Sequence, residues 1–258
     1  MEDFLKKIIK EAGDLALDYF HKGVIFETKS NLADLVTIAD VKTSEFLVSA
    51  IHTQYPDHMI TSEEMKDSIN SGAQYEWVID PIDGTRNFAN GIPMWCIIIA
   101  LIHNDEIELG AVYNPIADEL FFAKKYHGAT LNGLPIHVGD KKDFEFATAQ
   151  FSRMPKIAGP YGQKIEEFKQ FGERLNSETC IWAHNFGCIL GMCYMASGGI
   201  DLFANNAGLD HDYLSPVLIA REAGAVVTDC EGNEWKRGRQ DLVGANPQLH
   251  AKVMELFY

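Results

Sequence analysis

The stretch Glu76-Trp77-Val78-Ile79-Asp80-Pro81-Ile82-Asp83-Gly84-Thr85 limits what this chain can build more than any other. It opens as a short apolar strand and closes on two carboxylates three positions apart, a glycine and a threonine. Proline cannot donate to a ladder, so Pro81 predicts a strand that stops at Asp80. Gly84 lets the backbone approach a ligand, and a helix beginning there would turn its first N–H groups outward. Carboxylates suit hard divalent cations, and a helix N-terminus suits phosphate. Metal ions and a phosphate are therefore expected to meet within these residues.

The 258 residues allow a sizeable core, in one large domain or two fused halves. A formal net charge of −15 argues against nucleic acid or an anionic membrane as partner, since both want a basic face. An anionic substrate would need local cations or backbone dipoles to offset that field. Cys96, Cys180, Cys188, Cys193 and Cys230 are an odd set without a Cys-x-x-Cys pair, which predicts buried, reduced thiols in a cytoplasmic protein and no zinc site. The N-terminus carries acids early and lacks a long apolar core, so it does not read as a signal peptide. The longest apolar run, Met94 to Ile102, falls well short of the about 20 residues of a membrane span and reads as a buried strand.

Along the chain, Phe4, Leu5, Ile8, Ile9, Ala12, Leu15, Ala16, Tyr19 and Phe20 recur at helical spacing. A second helix is predicted from Val41 to Gln54. A short strand from His58 to Thr61 delivers Glu63 and Glu64, and 64–74 reads as a mobile surface loop. Strands at Met94–Ile102, Ile107–Tyr113 and Glu119–Lys124 follow one another without helices, which predicts a largely antiparallel sheet. The polar run near Gly139 to Phe144 divides the chain into halves 1–143 and 144–258. In the second half, strands at Phe146–Phe151, Ile200–Ala204, Ala225–Asp229 and Leu242–Ala245 alternate with helices. Those helices are marked by Ile165 to Leu175, Gly187 to Ala196, Asp212 to Ala223 and Gln248 to Phe257, a pattern that favours an α/β sheet.

The carboxylates carry the chemistry. Asp80 and Asp83 flank the proline-fixed turn, Glu63 sits at another strand end, and Asp212 opens a helix. Alone, Asp212 would read as a helix cap and Glu63-Glu64 as a solvated pair. Buried together, such groups repel and need cations. Oxygen-only ligands favour Mg²⁺ or Mn²⁺ over zinc. Two such ions about 3.5–4 Å apart can activate a water and stabilise a leaving oxygen.

Four stretches in order resemble the inositol monophosphatase family of metal-dependent, lithium-sensitive phosphomonoesterases. They are Lys29 with Asp34-Leu35-Val36-Thr37 and Asp40; Glu63-Glu64; Trp77 to Phe88; and Asp212 followed by Glu222-Ala223-Gly224. The resemblance implies a layered α-β-α-β-α sandwich, with a mainly antiparallel sheet in the N-terminal half and an α/β C-terminal half. It implies two or three Mg²⁺ ions, with Mn²⁺ as the alternative. Glu63, Asp80 and the Ile82 carbonyl would hold the first ion and Asp80, Asp83 and Asp212 the second, with a looser third near Glu63. Thr85 with Asp40 would orient or deprotonate the attacking water. The Gly84 and Thr85 N–H groups would grip phosphate, and Lys29 would lie on a loop that closes over the metals. Asp83, Gly84, Thr85, Asn205 and Asp212 would meet the substrate. A homodimer is implied as well.

Two positions depart from the family pattern. Asn205 stands where inositol-specific members present Glu, and His211 where members present Trp, followed by Tyr213 as in some histidinol-phosphate phosphatases. His211 reads as a satisfied histidine at a helix start rather than a substrate group. The expected reaction is hydrolysis of a small phosphate monoester, inositol monophosphate first, with histidinol phosphate, fructose bisphosphate and the 2′-phosphate of NADP as alternatives. A phosphatase with an aspartate nucleophile is disfavoured, because two residues rather than one separate Asp80 from Asp83. A binding or regulatory protein on the same fold is the rival of another class.

Overall fold

A computed structural model describes residues 1–23, 26–28, 35–153 and 162–258. The first half runs α1 (Glu2–Lys22), β1 (Phe26–Thr28), β2 (Leu35–Thr37), α2 (Ile38–Gln54), β3 (Met59–Ser62), β4 (Tyr75–Asp83) and the short α3 (Thr85–Ala89). It continues through β5 (Cys96–His103), β6 (Glu106–Asn114), β7 (Glu119–Lys124), β8 (Ala129–Leu131) and β9 (Leu134–Ile136). The second half runs β10 (Thr148–Ser152), α4 (Ile165–Glu178), β11 (Trp182–His184), α5 (Leu190–Ala196), β12 (Leu202–Asn205), α6 (Asp210–Glu222), β13 (Val226–Thr228), β14 (Leu242–Ala245) and α7 (Pro247–Glu255).

Strands β3 to β9 form one sheet in sequence order. Only β3–β4 is parallel within it, as expected for strands that follow one another through tight turns. A second sheet, ordered β11-β10-β12-β14-β13, joins parallel pairs to antiparallel ones. Both faces of the first sheet are buried, which is why β5 reads as a continuous apolar run. Trp77, Ile79, Ile97 and Ile99 pack against Leu5, Ile8 and Ile9 of α1 and Leu47 of α2. Val78, Ile98 and Ala100 face Leu190 of α5 and Leu214 and Val217 of α6. Phe168 and Phe171 of α4 and Leu249 of α7 cover the far face of the second sheet with Val243 and Ala245. The layers are therefore helix, sheet, helix, sheet, helix, as expected.

Several boundaries differ from expectation. Strand β4 does not stop at Asp80 but runs through Pro81 to Asp83, where it pairs with Cys96. The register shifts between Asp80 and Asp83, and this bulge takes the proline out of the ladder. Helix α2 begins at Ile38 because Thr37 and Asp40 close a capping box, and α6 begins two residues before Asp212. Within 64–74, Ile69 exchanges both backbone hydrogen bonds with Ile60, so part of this stretch lies against β3. Four cysteines are buried as thiols, but Cys180 is exposed. Among the described residues no helix is long and apolar enough to cross a membrane.

Candidate active site

The bulge that carries β4 past Pro81 also aims its acids. The Ile82 N–H donates to Asp80 Oδ1 at 3.1 Å, which holds that carboxylate against the turn. Asp83 Oδ2 accepts the Ile189 N–H at 2.5 Å and the Cys96 thiol at 3.3 Å. Gly84 follows with φ +91°. A Cβ there would lie 3.0 Å from both Cys188 Cβ and the Met94 carbonyl, so the position requires glycine. Glu63 comes from the neighbouring strand: its N–H donates to the Ile79 carbonyl at 3.0 Å and extends the β3–β4 pairing by one residue.

Helix α6 supplies the remaining groups. Asp212 is its third residue, and its Oδ2 accepts the Leu209 N–H at 2.5 Å. Tyr213 is fully buried beneath it. The Tyr213 hydroxyl donates to the Gln240 carbonyl at 3.1 Å and accepts the Gly208 N–H at 3.0 Å, so this tyrosine fixes the helix start and does not face the site. Arg237 ties the same helix to β4. Its guanidinium donates to both Glu76 oxygens at 2.7 and 2.9 Å and to Asp210 Oδ2 at 2.7 Å.

Two groups of potential ligands result, and Asp80 belongs to both. Carboxylate oxygens of Asp80, Asp83 and Asp212 lie within 4.8 Å of one another; so do oxygens of Glu63 and Asp80 and a ring nitrogen of His211. Asp80 is 2% exposed. Burial first, and then the negative charges of Glu63, Asp83 and Asp212, push its carboxyl well above the usual carboxylate range. Burial and the neighbouring Asp212 push Asp83 up to about 7. Burial also raises Asp212, against the opposing pull of His211. Acids held together at such a cost are what a bound divalent cation would relieve.

Asp40 stands beside this cluster. Its Oδ2 accepts from the Thr37 N–H at 2.7 Å and the Thr37 hydroxyl at 2.5 Å, while Oδ1 lies 3.2 Å from Thr85 Oγ1. Thr85 Oγ1 also lies 3.1 Å from the Ile82 carbonyl. Burial pushes Asp40 up to about 6. Asp40 thus caps α2 through Oδ2 and meets Thr85 through Oδ1. A cleft of about 390 Å³ opens from Asp83 and Asp212 and is lined by Arg86, Ser152, Arg153, Asn185 and Asn205. Asn205 lies at the end of β12, and its Oδ1 accepts the Ala207 N–H at 3.1 Å.

Glu63, Asp80, Asp83 and Asp212 converge as the sequence reading expected, and Thr85 meets Asp40. Lys29 and Asp34 lie outside the described residues. His211 lies in the first turn of α6 with a ring nitrogen near carboxylate oxygens of Glu63 and Asp80. Arg86 and Arg153 were not foreseen as cleft residues. Only Arg86, beside the motif threonine, carried a signal.

The sequence model of the Inositol monophosphatase family matches residues 1–258. A Thermotoga maritima fructose-1,6-bisphosphatase/inositol-1-monophosphatase is 28% identical, across 98% of this chain and 94% of its own. The Nus factor SuhB of Vibrio cholerae is 32% identical across 86% and 81%. Among solved structures, the extragenic suppressor protein suhB of Bartonella henselae superposes with a TM-score of 0.90 at 26% identity, covering 99% of this chain and 97% of that one. The motifs, the layered fold and a match that spans its whole length place this chain in the inositol monophosphatase family, a family of phosphatases.

Proposed function

We propose that the protein hydrolyses a small phosphate monoester of a sugar or polyol, inositol monophosphate foremost, with Mg²⁺ as the working ion. The observation that carries this reading is the pair of ligand groups sharing Asp80, with the Thr85–Asp40 hydrogen bond beside them. Glu63, Asp80 and the Ile82 carbonyl would hold one ion and Asp80, Asp83 and Asp212 the other; the oxygen-only second set suits Mg²⁺. When bound, such ions polarise phosphoryl oxygens and make a water acidic enough to attack at neutral pH.

The chain's own groups do the rest. Ionised Asp40 accepts the Thr85 hydroxyl proton, which leaves the hydroxyl oxygen free to accept from the attacking water and orient it. The Gly84 and Thr85 N–H groups take phosphate oxygens, and no covalent phosphoenzyme forms. In this reading the half spanning 1–143 contributes Glu63, Asp80, Asp83 and Thr85, while the half spanning 144–258 contributes Asp212 and Asn205. The amide of Asn205 meets hydroxyls of the alcohol. The reading also takes the enzyme to be a cytoplasmic homodimer, which light scattering and fractionation would test.

A bisphosphate is the second reading. Arg86 and Arg153 line the cleft beside Asp83, and two guanidinium groups suit a substrate with a second anionic group. The name of the Thermotoga maritima relative fits this reading. The test is phosphate release from inositol-1-phosphate, fructose-1,6-bisphosphate, histidinol phosphate and NADP, with Mg²⁺ or EDTA. Release should require Mg²⁺ and fall by about 100-fold or more in Asp83→Asn. Undiminished turnover in that variant, or in EDTA, would overturn the reading.

A further inference from the structure

His211 has no place in an oxygen-only magnesium site, yet its ring points into one. A His211 nitrogen lies within 4.8 Å of carboxylate oxygens of both Glu63 and Asp80. The side chain is 19% exposed, so most of the imidazole is enclosed against the site. Its position is fixed from below. The next two residues are Asp212, whose carboxylate caps the helix, and Tyr213, which is fully buried and bonded to Gln240. Asp210, on its other side, is clamped by Arg237 and accepts the Gly238 N–H at 2.9 Å. The first turn of α6 therefore has little freedom to rotate His211 away from Glu63 and Asp80.

We infer that His211 is a third side-chain ligand at the Glu63–Asp80 site, and that this site takes a first-row divalent transition ion in preference to Mg²⁺. Two carboxylates and an imidazole form a mixed oxygen–nitrogen set. Imidazole adds little for Mg²⁺, which prefers oxygen and holds its waters, but strengthens binding along the series from Mn²⁺ toward Zn²⁺. The Asp80–Asp83–Asp212 site keeps an all-oxygen set, so the two neighbouring sites differ in ion preference. His211 Nε2 is 3.7 Å from Asp212 Oδ2, so the imidazole also faces the second site's carboxylate. That contact offers the competing role of an internal counter-ion, which the experiment separates from ligation. The inference rests on the cation-dependent reading above and refines one of its two sites.

The test uses the full chain freed of metal. With Mn²⁺ bound, pulsed electron paramagnetic resonance should show coupling to a nitrogen nucleus, and this signal should vanish in His211→Phe. Calorimetric titration with Co²⁺ and with Mg²⁺ should show the Co²⁺ to Mg²⁺ affinity ratio falling about tenfold or more in that variant. The wild-type nitrogen signal needs no variant, so a poorly folded His211→Phe protein leaves the inference testable. Mn²⁺ bound without nitrogen coupling would overturn the inference and leave the phosphatase reading standing. No binding of Mn²⁺, Co²⁺ or Mg²⁺ at all would overturn both.

Discussion

Glu76 and Asp80 lie four residues apart on one face of β4. Both are buried, at 8% and 2% exposure, yet their charges are handled in opposite ways. Glu76 receives both arms of the Arg237 guanidinium, the fork geometry that best satisfies a carboxylate. Asp80 receives one backbone N–H and otherwise faces acids and the His211 ring, and among the described residues no lysine or arginine pairs with it. A chain able to place Arg237 across from residue 76 was not short of means to neutralise residue 80. Under the proposed function, the difference separates a charge that holds the fold together from a charge kept for an ion from solution.

The largest expected effect tests that separation through activity. Asp80 is shared by both ligand groups, so Asp80→Asn should lower Mg²⁺-dependent phosphate release by about 100-fold or more. Glu76→Gln should leave kcat nearly unchanged per folded molecule. Equal losses in the two variants would erase the contrast. The next effect concerns pH in EDTA. Burial raises Asp40 from 3.8 to about 6 and Asp83 to about 7. Between those values the folded state keeps protons that the unfolded chain has already released. Stability without cations should therefore fall as pH rises from about 4 to 7, by on the order of 3 kcal/mol for Asp40 as an upper figure. Thermal melts in EDTA should show Tm declining over this range, and saturating Mg²⁺ should flatten the decline. A Tm that rises with pH in EDTA would contradict the cluster's electrostatics.

Arg237→Ala comes next. It leaves Glu76 buried without its partner and frees the Asp210 end of α6, at a cost of about 2 kcal/mol. Melting should drop by roughly 4–8 °C. Because α6 carries His211 and Asp212, cation affinity should weaken as well, which calorimetry would read. An unchanged affinity would mean that the helix start is held by Tyr213 alone.

Asp80 and Asp83 stood out locally because they flank a proline-fixed turn before a glycine, but Glu63 and Asp212 alone read as a solvated residue and a helix cap, and only the family resemblance grouped them with the other two. Individual elements were legible in their periodicity, since β5 is apolar on both faces and α1 on one, while the order of the layers came from the resemblance. What escaped depends on contacts between distant residues. Pro81 predicted a stop, but the bulge opposite Cys96 absorbs it, and nothing local to β4 announces that partner. The Glu76–Arg237 pair spans 161 positions. His211 looked like a satisfied histidine because its direction is set by Tyr213 and Arg237, which lock the helix from two sides. The strands β8, β9 and β11 have only three residues each, too short for alternation to register.

The smallest expected effect is also the one whose sign is most informative. In EDTA at pH 8.5, Asp80→Asn should stabilise the protein, whereas Glu76→Gln should destabilise it. Asn at position 80 still accepts the Ile82 N–H and fills nearly the same volume, but removes a buried charge that repels Glu63, Asp83 and Asp212. A gain of about 1 kcal/mol, or roughly 2–4 °C in Tm, is the scale of such relief. Glu76→Gln instead removes the charge that Arg237 faces. With saturating Mg²⁺ the order at position 80 should reverse, because wild type then binds an ion that the variant holds poorly. If Asp80→Asn lowers Tm in both conditions, Asp80 is held by interactions within the fold after all, and the contrast with Glu76 fails.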